Sequence, residues 1–468
     1  MRKTKIVATI GPASQDHAVL QQLINGGLDV ARLNFSHGTH EQHGRNIDDI
    51  REIRDDVAIM LDTQGPEIRL GVLEQPIELR EGMSVRLTTD DRESDKPSLP
   101  VTYPDFLQHI REGDTILLDD GNVGLVVESI DHDAVCTVRY GGTVTSQQSV
   151  NVPGRDLDLK APTEKDRADI RFGIEKDVDF VAASFVESAG EVREIRKLLR
   201  CHGSQAGVIS KIESMRALEN IDAIIAATDG VMVARGDLGV EIPASDVPLT
   251  QKNIIKKCNE RGTPVITATQ MLESMTEHPR ATRAEASDVA NAVLDGTDAV
   301  MLSEETAVGS YPVEAFTFMA EVLEKVETFF RDNVHWTVES GSHSIADIIC
   351  KNVWQVCNEI PVDYIVAHTS SGSTARNISK YRPMTDIIAF TNSRVVQRQL
   401  RLVWGVRPYY IAFQEYFDDL IHDTTSFLKQ QGHVTDDDIL VITAGVPNSV
   451  TGITNLMEIR QVSSLLDG

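Results

Sequence analysis

Lys211 and Glu213 stand two residues apart at the end of an otherwise apolar run, "GVISKIES" at 207–214. Side chains alternate along a strand, so the ammonium and the carboxylate share one face. Buried lysines are rare unless paired, and packing alone has no use for either charge. Another carboxylate, Asp237, follows the next such run, "GVMVARGDLG" at 230–239. Mg²⁺ takes hard oxygen ligands, usually one or two carboxylates with water and substrate completing the octahedron, and Glu213 with Asp237 suits that role. A lysine beside a metal-bound carboxylate can stabilise negative charge on a transferring phosphoryl group or an enolate. Its other use is a Schiff base with a carbonyl substrate, which a neighbouring divalent metal and the lack of a second strand-end lysine disfavour. Arg32 and Arg69 add guanidinium groups of the kind that grip phosphate or carboxylate. Neither GxxxxGK[ST] nor a strand-following GxGxxG occurs, so a nucleotide would be held without either standard cradle.

The elements that must position these groups follow from periodicity. Eight short apolar runs rich in β-branched residues begin at "TKIVATIGP" (4–12), "DVARLNFSHG" (29–38), "VAIMLDTQG" (57–65) and "VDFVAASFV" (178–186). They continue at 207–214, at 230–239, at "PVITATQMLES" (264–274) and at "DAVMLSEETA" (298–307). Amphipathic stretches such as "ESAGEVREIRKLLRC" and "TRAEASDVANAVLDG" separate them, and Thr163 is placed to N-cap a helix over "EKDRADI". Eight β–α repeats predict a (β/α)₈ TIM barrel, whose active site lies at the C-terminal ends of its strands. Polar residues recur there: Arg32 and Asn34, Asp62 and Thr63, Ser184, Lys211 and Glu213, Asp237, Thr269, Ser303.

About 90 residues interrupt the rhythm after the third run, far more than a βα loop needs. They alternate with Gly and Asp turns in "IELREGMSVRLTT", "GDTILLDDGNVGLVVESI" and "AVCTVRYGGTV", which predicts an inserted antiparallel β-barrel acting as a lid. Beyond "PVEAFTFMAEVLEKVETFF" the pattern becomes that of a separate three-layer α/β domain, with a small-residue loop "HTSSGSTA" suited to holding a phosphate on backbone N–H groups. The expected division is a barrel over 1–69 and 159–335, a lid over 70–158, and an effector or regulatory domain over 336–468.

Composition sets the outer limits. The formal net charge is −26, which argues against nucleic acid or an anionic membrane as partner. Thirty arginines against fifteen lysines in so acidic a chain suggest a salt-tolerant cytoplasm; a generic acidic cytosolic enzyme fits as well. No apolar run approaches the roughly 18 residues of a membrane span, and "MRKTKIVATIGPAS" lacks a signal-peptide core, so a cytoplasmic location is expected. The five cysteines show no CxxC spacing and are expected to be reduced.

In order along the chain, "TKIVATIGPAS", "ARLNFSHG", "LDTQGPEIR", "SKIES", "ARGDLGVEIP", "ATQMLESM", "TRAEASDVANAVLDGTDAVMLSEETA" and "TSSGSTARNISKYRP" resemble the motifs of the pyruvate kinase family. The resemblance spans essentially the whole chain. It implies phosphoryl transfer from phosphoenolpyruvate to ADP, yielding pyruvate and ATP at the end of glycolysis, by an allosteric homotetramer using Mg²⁺ (or Mn²⁺) and K⁺. By motif, Lys211 stabilises the transition state and the enolate, Glu213 and Asp237 hold the divalent ion, and Arg32 contacts the phosphoryl group. The backbone at Gly236 and the Thr269 hydroxyl hold the substrate carboxylate. Asn34, Ser36, Asp62 and Thr63 match the K⁺ site; Asn34 and Ser36, with His37 and Arg69, also fall on the nucleotide side. Ser303 and Glu305 resemble a polar relay toward the enolate. Thr369, Ser370, Ser371, Ser373 and Thr374 match the effector loop. "TAGVPNSVTGITN" lacks the tryptophan and arginine that grip a second phosphate, so a sugar monophosphate or AMP is the expected activator.

Glu67 stands where K⁺-requiring members resemble this chain, which predicts K⁺ activation; a salt-bridge role is the other reading of that residue. Four departures bear on lid closure and rate: Gln148–Ser149 where Lys–Gly is common, "LDLKAP" in the lid's return hinge, Glu304 for Gly and Ala286 for Gly. Two other functions compete. One is a metal-dependent barrel lyase or aldolase on pyruvate-like oxyacids; the other is an inactive regulator that binds phosphorylated metabolites.

Overall fold

The computed structural model describes residues 2–89, 97–155, 157–333, 344–412, 414, 416–445 and 454–466. Eight parallel strands close into a barrel: Lys5–Thr9, Val30–Asn34, Ala58–Asp62, Phe180–Ala183, Gly207–Ile212, Gly230–Ala234, Val265–Ala268 and Ala299–Leu302. They neighbour one another in chain order, and the first pairs with the last, Lys5 opposite Ala299. Every expected run contains its strand, though each strand ends before the run does.

Alternation sorts each strand into two faces. Outward positions such as Ile59, Leu61, Val208, Ile212, Val231 and Val300 pack against the surrounding helices. Inward positions Val7, Val30, Met60, Ala182, Ile209, Met232 and Met301 fill the interior, where Leu402 from the C-terminal part closes the base. Two residues further along the same inner faces come Arg32, Asp62, Ser184, Lys211 and Ser303. The interior thus changes from apolar to charged at one height, which explains why a lysine sits in a Val–Ile strand.

Helix starts carry their own instructions. Thr163, Ser188 and Thr282 each accept from the N3 backbone N–H while the N3 side chain returns the bond, giving capping boxes for Glu164–Glu175, Ala189–Cys201 and Arg283–Leu294. The expected N-cap at Thr163 is therefore the observed one.

The insertion has its own core around Val85, Leu87, Phe106, Leu118, Leu125 and Val138. It comprises a two-stranded ribbon, Ile77–Leu79 with Gly142–Val144, and a six-stranded sheet. That sheet is antiparallel except where Ser84–Thr88 runs parallel to Ser98–Pro100. The C-terminal sheet places Tyr364–His368 centrally, flanked by Asp386–Thr391 and Ile439–Ala444, with Val406–Tyr410 and the antiparallel Leu456–Gln461 at its edges. One face packs Ile365, Ala367 and Ala389 on Cys350, Val353 and Ile378. The other packs Val366, Ile388 and Ile442 on Ile421 and Leu428. A helix–sheet–helix stack results.

Buried ion pairs fasten this stack to the barrel's base. Arg382 meets Asp298 at 2.9 Å, and its other nitrogen reaches Asn259 and the Gly296 carbonyl. Arg398 meets Asp179 at 2.5 Å while Arg51 takes the second oxygen at 2.7 Å. Lys3 reaches Asp386 at 2.7 Å.

Candidate active site

At the barrel mouth the charged layer forms a chain of contacts. Arg32 donates through Nε to Asp62 Oδ2 at 2.6 Å and through Nη1 to the Thr9 hydroxyl at 2.9 Å. Lys211 Nζ lies 3.2 Å from the other Asp62 oxygen, 2.9 Å from Glu213 Oε1, and donates to Ser184 Oγ at 2.7 Å. Ser184 Oγ in turn donates to the Thr63 carbonyl at 2.6 Å, and its N–H donates to the Thr63 hydroxyl at 3.2 Å. The second Glu213 oxygen accepts from the Phe185 N–H at 2.6 Å. Most of these bonds join neighbouring strands, while Lys211 reaches past one strand to Asp62 and along its own to Glu213, so the sheet's register sets the charge geometry.

Titration follows from these neighbours. Burial opposes ionisation of Asp62, but Arg32 and Lys211 outweigh it and hold the carboxyl below its ordinary range. Burial alone would lower Lys211; the fields of Asp62, Glu213 and Asp237 override it and hold the ammonium above its ordinary range. Glu213 moves the other way, pushed up to about 7 by burial, with Lys211 opposing and Asp237 adding to the rise. Glu213 and Asp237, two carboxylates at one barrel mouth and both acceptor-only hard oxygens, are the donor set a divalent cation takes. Among the described residues no group of three or more His, Cys, Asp or Glu is clustered, so such an ion would rely on this pair.

Asp237 sits three residues past its strand, in the first turn of a short helix, Arg235–Glu241. That helix aims the Gly236 N–H at the Thr269 hydroxyl, 2.8 Å away, while the hydroxyl donates to Ala268 O at 2.7 Å. Thr269 and Gln270 both have positive φ, 63° and 54°, unusual for a β-branched residue and held here by an arginine that the sequence reading passed over. Arg235 donates to the Thr269 carbonyl at 2.6 Å and to Ala268 O at 3.2 Å, and is itself anchored by Asp288 at 2.6 Å. These three contacts lie over thirty positions away in sequence, beyond the reach of local pattern. Gly65, with φ 75°, shows a related constraint: a Cβ there would come within 2.8 Å of Ser184 and Phe185, so only glycine lets the third and fourth strand ends meet.

A cleft of about 900 Å³ opens between this layer and the insertion. Lys211, Glu213, Asp237, Arg32, Thr269 and Ser303 line it from the barrel, and Asn34, Ser36, His37 and Arg69 extend it toward the insertion. Asp62, Thr63, Gly236 and Glu305 stand behind that wall. Glu305 accepts from Leu272 N–H at 2.9 Å and Ser303 N–H at 2.7 Å, joining the seventh and eighth strand ends; burial pushes its carboxyl up against those bonds. The Ser303 hydroxyl is buried without a partner of its own. The Asn34 side chain accepts from Ser36 N–H at 3.1 Å. Lys165, also absent from the sequence reading, pins the same loop by donating to Phe35 O at 2.7 Å.

Glu67 is half-buried and pairs with Arg69, Nε to Oε2 at 2.7 Å, and Arg69 also donates to Gln147 O at 2.8 Å. The salt-bridge reading of Glu67 is thus the contact observed. Gln148 and Ser149 are engaged within the insertion, accepting from Thr145 N–H at 2.8 Å and donating to Asp120 at 2.7 Å respectively.

The expected effector residues lie in the C-terminal stack, apart from the cleft. Gly372, at φ 79°, turns the loop into the helix Ser373–Ser379. Ser371 and Ser373 bond each other at 3.1 Å, and Thr374 faces inward to Thr454 at 2.7 Å. Most of the expected second-phosphate segment, residues 446–453, lies outside the described residues.

Comparison with known proteins gives a consistent set of likenesses. Residues 1–316 match the family model for the pyruvate kinase barrel domain and residues 347–460 that for the pyruvate kinase alpha/beta domain. The pyruvate kinase of Geobacillus stearothermophilus is 48% identical over 99% of this chain and 81% of its own length. That of Staphylococcus aureus (strain MRSA252) is 47% identical with the same coverage. The crystal structure of a pyruvate kinase from Cryptosporidium parvum superposes with a TM-score of 0.91 at 38% identity, covering 98% of this chain and 96% of that one.

Proposed function

Because the chain belongs to the pyruvate kinase family, its reaction is phosphoryl transfer from phosphoenolpyruvate to ADP, and we propose that the residues of the barrel mouth divide that work as follows. Lys211 carries the electrostatic burden. The reaction breaks the bond between phosphorus and the enol oxygen and forms one to a terminal oxygen of ADP. The enolate then takes a proton at its methylene carbon. Negative charge therefore moves between oxygens without leaving the site, and a fixed ammonium above its ordinary pKa stays charged throughout. The carrying observation is the position of Lys211 Nζ, held on three sides by Asp62, Glu213 and Ser184.

Arg32, oriented by Asp62 and Thr9, presents its remaining N–H groups to the phosphoryl oxygens. The Gly236 N–H and Thr269 hydroxyl, which bond each other here, separate to take the substrate carboxylate. Glu213 and Asp237 hold Mg²⁺ or Mn²⁺, which when bound neutralises charge on the substrate oxygens. Asn34, Ser36, Asp62 and Thr63 supply oxygens for K⁺, and His37 and Arg69 meet the nucleotide phosphates. Ser303 and Glu305 form the polar relay toward the enolate. We assign the domains to 1–69 with 159–335, to 70–158 and to 336–468, the second closing over the mouth.

The loop Thr369, Ser370, Ser371, Ser373 and Thr374 takes a sugar monophosphate or AMP. A homotetramer is supported by the apolar face of Ile345, Ile348 and Ile459, which are 65%, 51% and 42% exposed. Among the described residues no helix is long and apolar enough to cross a membrane; with the acidic charge this supports a cytoplasmic enzyme.

A coupled pyruvate assay with phosphoenolpyruvate, ADP, Mg²⁺ and K⁺ omitted in turn tests the reading. Pyruvate formed at full rate without ADP would instead indicate a lyase. Equal turnover with a large organic cation replacing K⁺ would remove the K⁺ assignment.

A further inference from the structure

A second cavity, of about 150 Å³, lies at the opposite end of the barrel, where the C-terminal stack meets the strand feet. Arg196, Gln205 and Asp229 line it from the barrel, and Ser371, Arg376 and Gln399 from the stack. Gln399 crosses the boundary, donating to Gln205 O at 2.8 Å.

The charges here do not balance. Arg196 meets Asp229 at 2.9 Å and donates to Ala227 O at 2.7 Å, while Asp229 also accepts the Val208 N–H at 2.8 Å. Both of these contacts fall on Asp229 Oδ2. Arg376 donates to Ser371 O at 3.0 Å but forms no ion pair among the described residues. Burial lowers its pKa, and only the more distant field of Asp229 works against that. A half-buried guanidinium without an ion-pair partner is unexpected in a chain of net charge −26. The backbone makes room for it: a Cβ on Gly372 would stand 2.8 Å from Arg376 Nη1.

We propose that this cavity binds a small doubly charged oxyanion, phosphate or the phosphoryl group of a metabolite, between Arg376 and Arg196. Guanidinium forks match phosphate oxygens in geometry and charge. The cavity, at about 150 Å³, has room for one such group. Ser371 belongs both to this wall and to the effector loop proposed above; that loop would hold its ligand on the backbone of residues 369–374, whereas this site holds its anion on the guanidinium groups. Its position gives it reach. The cavity wall includes Gly207, Asp229 and Pro264, at the feet of the strands whose far ends lead to Lys211, Asp237 and Thr269. An anion there ties the C-terminal stack to the three strands that carry the reaction.

Hydrogen–deuterium exchange on the full chain tests this, with inorganic phosphate added while phosphoenolpyruvate and Mg²⁺ saturate the mouth. Exchange should slow at 204–208, 228–231 and 371–376. R376Q and R196Q should each abolish that protection, and R376K should weaken phosphate about tenfold. S373E, which places a carboxylate at the effector loop, should leave it intact; melting curves identify any variant that fails to fold. A sugar monophosphate protecting these segments at lower concentration than phosphate would make a metabolite the source; the reverse order would make it the free anion. Protection that survives R376Q and R196Q, that vanishes in S373E, or that fails to appear with either ligand overturns the proposal.

Discussion

The two ends of the barrel both bury charge, and they use it differently. At the base, beside the small cavity, two cations meet their complements: Arg382 with Asp298, Arg398 with Asp179. At the mouth, Lys211 faces Asp62, Glu213 and the field of Asp237 together, and a cleft of about 900 Å³ lies in front of them. Those two pairs are balanced and closed; the mouth is unbalanced and open. A buried ion pair alone thus says little about function. What marks the mouth is an excess of one sign with space for something to offset it.

Four substitutions probe that contrast. Lys211→Met should lower kcat by at least about a thousandfold, with the KM for phosphoenolpyruvate moving far less, because the ammonium acts chiefly in the transition state. Near-normal turnover in the coupled assay would place the catalytic charge elsewhere. Arg382→Leu should do the opposite, costing about 3–5 kcal/mol of stability by stranding Asp298 while kcat in the surviving folded enzyme stays within about twofold. Denaturant melts beside kinetics would show it, and a large kcat loss with an unchanged melt would break the division between the ends. Arg235→Lys lies between these cases. It keeps the charge but loses the fork on the Thr269 carbonyl, so kcat should fall about ten- to a hundredfold through misplacement of Thr269. A melt shifted by several degrees with kinetics untouched would make that arginine purely structural.

The smallest effect concerns a group kept neutral. His368 is fully enclosed in the C-terminal stack, and burial lowers its pKa to about 4. An unfolded chain would bind that proton near pH 6.5, the folded one only near 4, so this contribution is intact above about 6.5 and lost as pH falls toward 4. Acid should weaken the stack by about 1.4 kcal/mol per pH unit across that window, and His368→Asn should flatten the slope. An unchanged acid limb in the variant would mean the histidine is not kept neutral.

Much of this was legible along the chain, for a local reason. The inner positions of a strand recur every second residue, so "GVISKIES" announces both its packing and the height at which packing stops. Capping boxes are as local, and Thr163 could be read in place. Arg235 and the left-handed backbone at Thr269 were not legible, because the partner of each lies on another strand. Asp237 was read as a strand end and lies in a short helix that starts directly after Ala234 despite two glycines, Gly236 and Gly239. The pairing of Glu67 with Arg69 is short-range, but choosing between it and a cation-site role requires the fold around it.

The alternation inside the barrel also sets which changes in chain length the enzyme can survive. The insertion enters between two strands without disturbing the closed barrel. Deleting one residue from Gly207–Ser210 is another matter: it would swap the faces of everything after it, pointing Ile212 inward and sending Lys211 and Glu213 toward the helices. Lineages of this enzyme are therefore free to lengthen what joins the strands and held to an unaltered count within them.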